Sequence, residues 1–154
     1  MDLLQPLLHL AQAGLSGYSL FHAYISVSNL HQYEQKMEKA AEWSDTAKHE
    51  LHKTRTTQTS SALSILSSVI ISLGLVSSPT PTITKVLLNT ASIAICVLAR
   101  THISNFWANK AKVPLVKGFN AAITSTNVVK DHLGVLAISW IVSSVIEAWR
   151  LGNN

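Results

Sequence analysis

Residues 56–84 read TTQTSSALSILSSVIISLGLVSSPTPTIT and contain no charged residue. A helix needs about 20 mainly apolar residues to cross about 30 Å of hydrocarbon, and residues 57–77 supply that length. Pro79 and Pro81 then interrupt the helix, because neither donates a backbone hydrogen bond and each disfavours helical geometry in the residue before it. The stretch therefore predicts a membrane-spanning helix over residues 57–77, followed by a turn.

The composition of the whole chain agrees with a membrane environment. Charged residues make up 13% of the 154 residues, whereas soluble domains carry about 25%. Ten of the twelve lysines and arginines fall in two segments, residues 30–55 and 100–131, and the rest of the chain is almost free of charge. A soluble all-helical protein is the alternative, because serine-rich segments give a weak hydropathy signal.

Three further apolar segments have the length of membrane spans: residues 3–29, 83–99 and 133–149. The first carries polar residues that recur every three or four positions and so share one helix face: Gln5, His9, Gln12, Ser16, Ser19 and Ser26. In hydrocarbon such a face must turn toward protein or a wet cavity. The sequence thus predicts an all-α fold, a four-helix transmembrane bundle in a single domain over residues 1–154. Serine and glycine faces allow helices, including those of an oligomeric partner, to approach closely.

The hydrophilic segment between the first two spans has a helical pattern of its own. Residues 32–55 hold five acidic and five basic residues, and apolar residues recur among them at helical spacing. This pattern predicts an amphipathic charged helical arm between spans 1 and 2, which either extends the first span or lies on the membrane surface. Its charges are typical of a solvated helix face.

The distribution of basic residues predicts the orientation in the bilayer. Because Lys and Arg concentrate in cytosolic loops, segments 30–55 and 100–131 are expected to be cytosolic, and both termini with the proline turn non-cytosolic. The protein is thus predicted to be a multi-pass integral membrane protein whose organelle the sequence does not specify. The net charge of +4 comes without a Lys/Arg-dense run, which argues against nucleic acid as a partner.

This topology brings ionisable residues of all four helices to one level near their cytosolic ends. The candidate catalytic residues among them are His22, Arg55, Arg100 and His132. A neutral imidazole can abstract a proton from an acidic carbon or a phenol, and an arginine can stabilise the resulting oxyanion. The alternative is structural, since arginines at the ends of spans contact lipid headgroups and flanking histidines lie at the interface.

The histidines do not form a metal site by sequence. His9 and His22 lie about 20 Å apart along one helix and cannot share an ion. His49 and His52 share a helix face, but two ligands on an exposed helix are poor evidence for a metal. We therefore predict no metal and no other cofactor.

The plan of the chain resembles the small four-helix membrane proteins that include fungal anthrone oxygenases. These share a Trp in a long polar segment after the first span and an Asn-x-x-Arg motif that enters the last helix. The nearest equivalents here are Trp43 and residues 127–130, Asn-Val-Val-Lys, with Lys130 in place of the Arg. The resemblance implies cofactor-free oxidation of a polyketide anthrone, initiated by removal of an acidic proton, in secondary metabolism.

Two functional hypotheses follow from the sequence. The first is an oxidoreductase-like enzyme, or an accessory to biosynthesis, that handles a lipophilic small molecule at the cytosolic mouth of the bundle. The second is a non-catalytic membrane scaffold or assembly factor that works through the charged helix of residues 32–55.

Overall fold

The computed structural model describes residues 3–108, 110 and 117–153, and these residues form an all-helical chain without a strand. The helices are α1 (Leu4–Ala41), α2 (Asp45–Ser77), α3 (Thr82–Trp107) and α4 (Lys117–Gly152). At about 1.5 Å per residue they are roughly 57, 50, 39 and 54 Å long, and all exceed the hydrocarbon thickness of about 30 Å. Residues 111–116 of the predicted cytosolic connection lie outside the described residues.

The charged segment extends the first helix, which is one of its two predicted forms, but it is not one continuous helix. α1 continues to Ala41 and α2 begins at Asp45, so that residues 32–55 form the tip of a helical hairpin. Ser44 separates the two helices because its extended backbone ends the helical path and its Oγ accepts a hydrogen bond from the backbone N–H of Ala47. Such a serine is an N-cap, the residue type that starts a helix. Ser44 therefore marks the turn between α1 and α2.

The predicted proline turn is present between α2 and α3. Ser78 adopts an extended backbone after the last turn of α2, and Pro81 immediately precedes α3. α3 runs two turns beyond the predicted span of residues 83–99 and ends at Trp107. Trp107 lies past the end of the predicted span, yet only 2% of it is exposed and its Nε1–H donates to Thr57 Oγ1 at 2.9 Å. It belongs to the core because α2 and α4 also extend past the predicted spans.

The four helices pack side by side in a ring. α1 contacts α2 and α4, α3 contacts the same two helices, and α1 and α3 lie on opposite sides of the ring. Consecutive helices run antiparallel, so that the 42–44 turn lies at one end, called here the hairpin end. The 78–81 turn lies at the other end, called the proline end.

The exposed surface is apolar and the interior is rich in polar groups. In α1 the six polar residues of the predicted stripe are each at most 3% exposed: Gln5, His9, Gln12, Ser16, Ser19 and Ser26. The outer face of the same helix displays large apolar side chains, among them Leu7 at 61% and Phe21 at 57% exposed. A soluble protein is built the other way round, with large apolar side chains mostly buried.

Three helices are long and apolar enough to cross a membrane: α2, α3 and α4. The structure is thus compatible with a multi-pass membrane protein whose outer helix surfaces contact a lipid bilayer. The predicted first span, residues 3–29, is not among the three, although its length is sufficient. Its buried polar stripe lowers the mean hydropathy of this segment, although its outward residues are apolar.

Candidate functional site

Hydrogen bonds between polar side chains join the helices along the interior. Near mid-height Ser16 Oγ of α1 donates to Ser68 Oγ of α2 at 2.9 Å, and Trp140 Nε1–H of α4 donates to the same oxygen at 3.3 Å. Toward the hairpin end Gln58 Nε2 of α2 donates to Thr126 Oγ1 of α4 at 3.1 Å. Ser26 Oγ of α1 lies 2.7 Å from the same Thr126 oxygen. These bonds satisfy buried groups that would otherwise cost about 1–3 kcal/mol each.

Two of the predicted site residues, His22 and His132, lie next to each other where α1 meets α4. Their ring centroids are 6.2 Å apart, and the ring of Tyr18 is 4.8 Å from His22 and 5.5 Å from His132. Both imidazoles are half-buried. Neither ring nitrogen of His22 has a hydrogen-bond partner among the described residues. The seam between α1 and α4 thus holds two imidazoles without a carboxylate bonded to either.

The hydrogen bonds around His132 define which of its nitrogens is basic. Ser19 Oγ donates its proton to the carbonyl oxygen of Leu15 at 2.7 Å. The same oxygen lies 2.9 Å from His132 Nδ1 and must therefore accept the Nδ1–H. In the neutral ring this leaves Nε2 with the lone pair. His132 is thus oriented by α1, and its Nε2 can accept a proton.

The two predicted arginines do not join this pair. Arg55 is exposed and bound in ion pairs with Glu34 and Glu38, through Nε at 3.2 Å and Nη2 at 2.5 Å. It therefore tethers α2 to α1 on the outside of the hairpin. Arg100 is also exposed and lies along α4, where its Nε is 3.1 Å from the position that a Cβ on Gly134 would occupy. Of the four candidate catalytic residues, only the two histidines contact each other.

A cleft of about 180 Å³ opens at the hairpin end between all four helices. Its walls are mainly apolar and aromatic: Leu30, Tyr33, Met37, Leu51, Phe106, Trp107 and Phe119. The rings of Tyr33 and Phe119 pack edge to face across α1 and α4, with centroids 5.6 Å apart. The sequence analysis did not predict this cleft, because its walls come from the segments 30–55 and 100–131, which were expected to be solvated.

Charged groups stand at the rim of the cleft. Glu50 of α2 forms an ion pair with Lys110, and the Lys110 ammonium also lies 4.5 Å from the centroid of the Phe106 ring. Glu34 lines the opposite wall and is paired with Arg55. The carboxylates at the rim are thus neutralised by neighbouring cations, and the cavity itself presents aromatic and aliphatic carbon.

A second group of buried polar residues, toward the proline end, was missed by the sequence analysis except for His9. Its main members are His9, Asn89 and Glu147, each at most 2% exposed. No cluster of three or more metal-ligating side chains occurs in the part of the chain that the structure describes. Glu147 could have been noticed in the sequence, because it is the one acidic residue in the apolar segment 133–149.

The residues that carry the resemblance to anthrone oxygenases lie apart from each other. Trp43 is in the 42–44 turn and is 89% exposed. Lys130 and Asn127 lie on α4, where Lys130 Nζ donates to Asn127 Oδ1 at 3.2 Å. The resemblance stays a prediction. No protein-family model, no curated protein and no solved structure matches the chain.

Proposed function

We propose that all four helices cross the bilayer, with α1 as the fourth span. The support is the inward direction of every polar residue in the predicted stripe of α1 and the apolar character of its outer face. Lipid would meet Leu7, Leu10 and Phe21, while the polar groups are bonded to α2 and α4. A helix that packs antiparallel along α2 and α4 shares their environment over the same depth.

The levels of aromatic and charged side chains support one membrane boundary near His132. Ser19 bonds to His132, and around this height α1 exposes Tyr18, Phe21 and Tyr24. Exposed aromatic rings collect at membrane interfaces. With the basic segments cytosolic, this boundary is the cytosolic one, and the hairpin extends beyond it into the cytosol. Both termini then lie on the opposite side.

We further propose that the protein binds a lipophilic small molecule in the cleft at the hairpin end. The observation that carries this proposal is an apolar cavity formed by all four helices with ion-paired charges at its rim. An apolar cavity of about 150 Å³ holds one benzene ring. The cleft of about 180 Å³ therefore accommodates one aromatic ring or a short acyl segment of a larger molecule. A polycyclic anthrone would fill it only with its end ring.

The enzymatic form of this proposal uses His22 and His132. His132 Nε2 would take a proton from an acidic carbon or phenol, and the neighbouring imidazole of His22 would share the charge. His22 precedes Leu30 by about 12 Å along α1, so a substrate anchored in the cleft must extend along the α1–α4 seam to reach the pair. In the anthrone-type reaction, molecular oxygen would be the oxidant.

Photolabelling in lipid nanodiscs tests the binding proposal. The probe is a one-ring aryl diazirine, and the labelled peptides are identified by mass spectrometry. We expect labelling of the cleft walls around residues 30–37 and 106–108. Met37→Trp fills the cleft from α1 and is expected to reduce this labelling at least fivefold. Leu98→Trp places the same ring on an outward site that is 70% exposed, and the cleft should label as in the wild type.

Equal labelling of the cleft peptides in Met37→Trp and wild type would remove the binding proposal. The catalytic form is tested separately with His22→Ala and His132→Ala, each followed by extraction of lipophilic metabolites from expressing cells. If both variants insert, label normally and leave the metabolite profile unchanged, the histidine pair performs no chemistry and the binding role stands alone.

The scaffold role is the second candidate, and one observation favours it. Trp43 is 89% exposed at the hairpin tip, and α1 continues about 33 Å beyond Ser19, which lies at the proposed boundary. A large aromatic side chain in water is a frequent anchor for a protein partner. Trp43→Asp should then lose co-purifying proteins while insertion is unchanged. Identical co-purifying proteins would exclude this role for the tip.

A further inference from the structure

A carboxylate lies buried inside the helices near the proline end. Glu147 is 1% exposed, and its Oε1 lies 3.5 Å from Arg150 Nη1, at the limit of a hydrogen bond. A carboxylate in such surroundings is stable only with a close charged partner or with a proton of its own. Ionisable groups inside membrane spans mark proton and ion sites by default.

His9 faces the same interior, and one nitrogen of its ring is available to accept a proton. Its Nδ1 lies 2.8 Å from Gln12 Oε1, and Gln12 Nε2 donates to Ser139 and Ser143 at 3.2 Å each. Gln12 Oε1 therefore accepts from His9, which fixes the proton on Nδ1 and the lone pair on Nε2. That Nε2 is buried and has no hydrogen-bond partner among the described residues.

Two amide side chains with unpaired atoms lie in the same part of the interior. Asn89 is 0% exposed, and neither its Oδ1 nor its Nδ2 bonds to any described group. Gln5 donates to the Ser143 carbonyl oxygen at 3.1 Å, whereas its own Oε1 is unpaired. Ser143 is one helical turn from Glu147. Unpaired buried atoms on α1 and α3 call for water or a mobile proton between them.

The charged groups that face His9 are few and come from two helices. α4 contributes Glu147, one helical turn from the Ser143 that Gln12 contacts, with Arg150 beside it, and α3 contributes Lys85 from its first turn at the proline end. α1 has no other charged residue from Leu3 to Tyr33, and α2 has none from Thr56 to Ser77. One anionic and one cationic neighbour thus act in opposite directions on the same imidazole.

We propose that His9 and Glu147 form a buried proton-binding site, hydrated by water held between His9 Nε2, the Asn89 amide and the Glu147 carboxylate. One proton is shared: it leaves the carboxyl group, crosses the water and bonds to Nε2, and it returns by the reverse step. No other reactant is consumed. The site does not depend on the cleft or on its ligand, which lie at the other end of the helices.

Tryptophan fluorescence provides the test, because a protonated imidazole quenches a nearby indole and the Trp140 ring is 5.6 Å from His9. The full-length protein in nanodiscs is titrated between pH 4.5 and 9. We expect a quenching transition in the wild type that disappears in His9→Gln and in Trp140→Phe. His31→Gln removes an exposed imidazole on the same helix and should leave the transition unchanged.

The two charged neighbours should move the transition in opposite directions. Glu147→Gln removes the anion and should lower the midpoint by about one pH unit. Lys85→Met removes the cation and should raise the midpoint. Lys85 is half-buried, so this variant is expected to fold even if Glu147→Gln does not. A transition that persists in His9→Gln, or a midpoint that Lys85→Met does not raise, would overturn the proposal.

Discussion

Replacing Ile70 with aspartate is expected to shift the insertion equilibrium of α2 about a hundredfold toward the non-inserted state. Ile70 is 62% exposed and lies in the middle of the charge-free stretch 56–84. An aspartate at the centre of a span costs about 2.5–3.5 kcal/mol on the insertion scale. If water covered this surface, the same substitution would change stability by no more than about 0.5 kcal/mol. The measurement is the insertion efficiency of α2 in microsomes with glycosylation reporters.

The matched control for this prediction is Trp43→Asp. It introduces the same charge at an exposed aromatic site on the hairpin tip, which lies outside the proposed hydrocarbon layer. Insertion should equal that of the wild type. If Ile70→Asp also inserts like the wild type, the outer face of α2 does not meet lipid.

The second large effect is expected at Trp140. This side chain is 0% exposed, packs 5.6 Å from the His9 ring and donates to Ser68 Oγ at 3.3 Å. Trp140→Ala leaves a large cavity and removes one of the two hydrogen bonds that Ser68 Oγ accepts, and such truncations cost about 3–5 kcal/mol. Unfolding in mixed detergent micelles, followed by circular dichroism, measures the loss.

Trp149 provides the comparison for Trp140 on the same helix. It is 58% exposed, so Trp149→Ala removes a ring without opening an interior cavity. We expect a loss below about 1 kcal/mol. Similar losses in the two variants would mean that Trp140 is not a core residue, and the packing of α4 against α1 and α2 would need revision.

Much of the helix arrangement was predictable from spacing in the sequence. The polar stripe of α1 repeats every three or four residues, so its burial on one face followed from helix geometry alone. The turn at Pro79 and Pro81 followed from the missing donors. The turn at Ser44 was not predictable in this way. The apolar residues on either side keep the same helical step, and periodicity alone cannot distinguish one helix from two.

The sites were less predictable, because burial depends on the neighbouring helix. Glu147 is in the last turns of a span, where a charge ordinarily reaches the headgroups, and only packing against the other helices shows that it faces inward. Trp107 lies past the end of the predicted third span, and its burial likewise depends on the neighbouring helices. By contrast, the adjacency of His22 and His132 was indicated by their shared level, although the contact itself depends on how α1 rotates against α4. Both arginines are exposed, and Arg55, although predicted at that level, pairs with Glu34 and Glu38 about 18 and 24 Å along α1 from His22.

Labelling of single cysteines with a membrane-impermeant maleimide tests the four-span arrangement most directly. Cys96 is 1% exposed, and Cys96→Ser provides a cysteine-free background into which Trp43→Cys or Ser78→Cys is introduced. In sealed inside-out and right-side-out vesicles, we expect Trp43→Cys to react only from the cytosolic face and Ser78→Cys only from the opposite face. Reaction of both positions from the same face, or recovery of the protein in the soluble fraction without detergent, would contradict a bundle that crosses the bilayer.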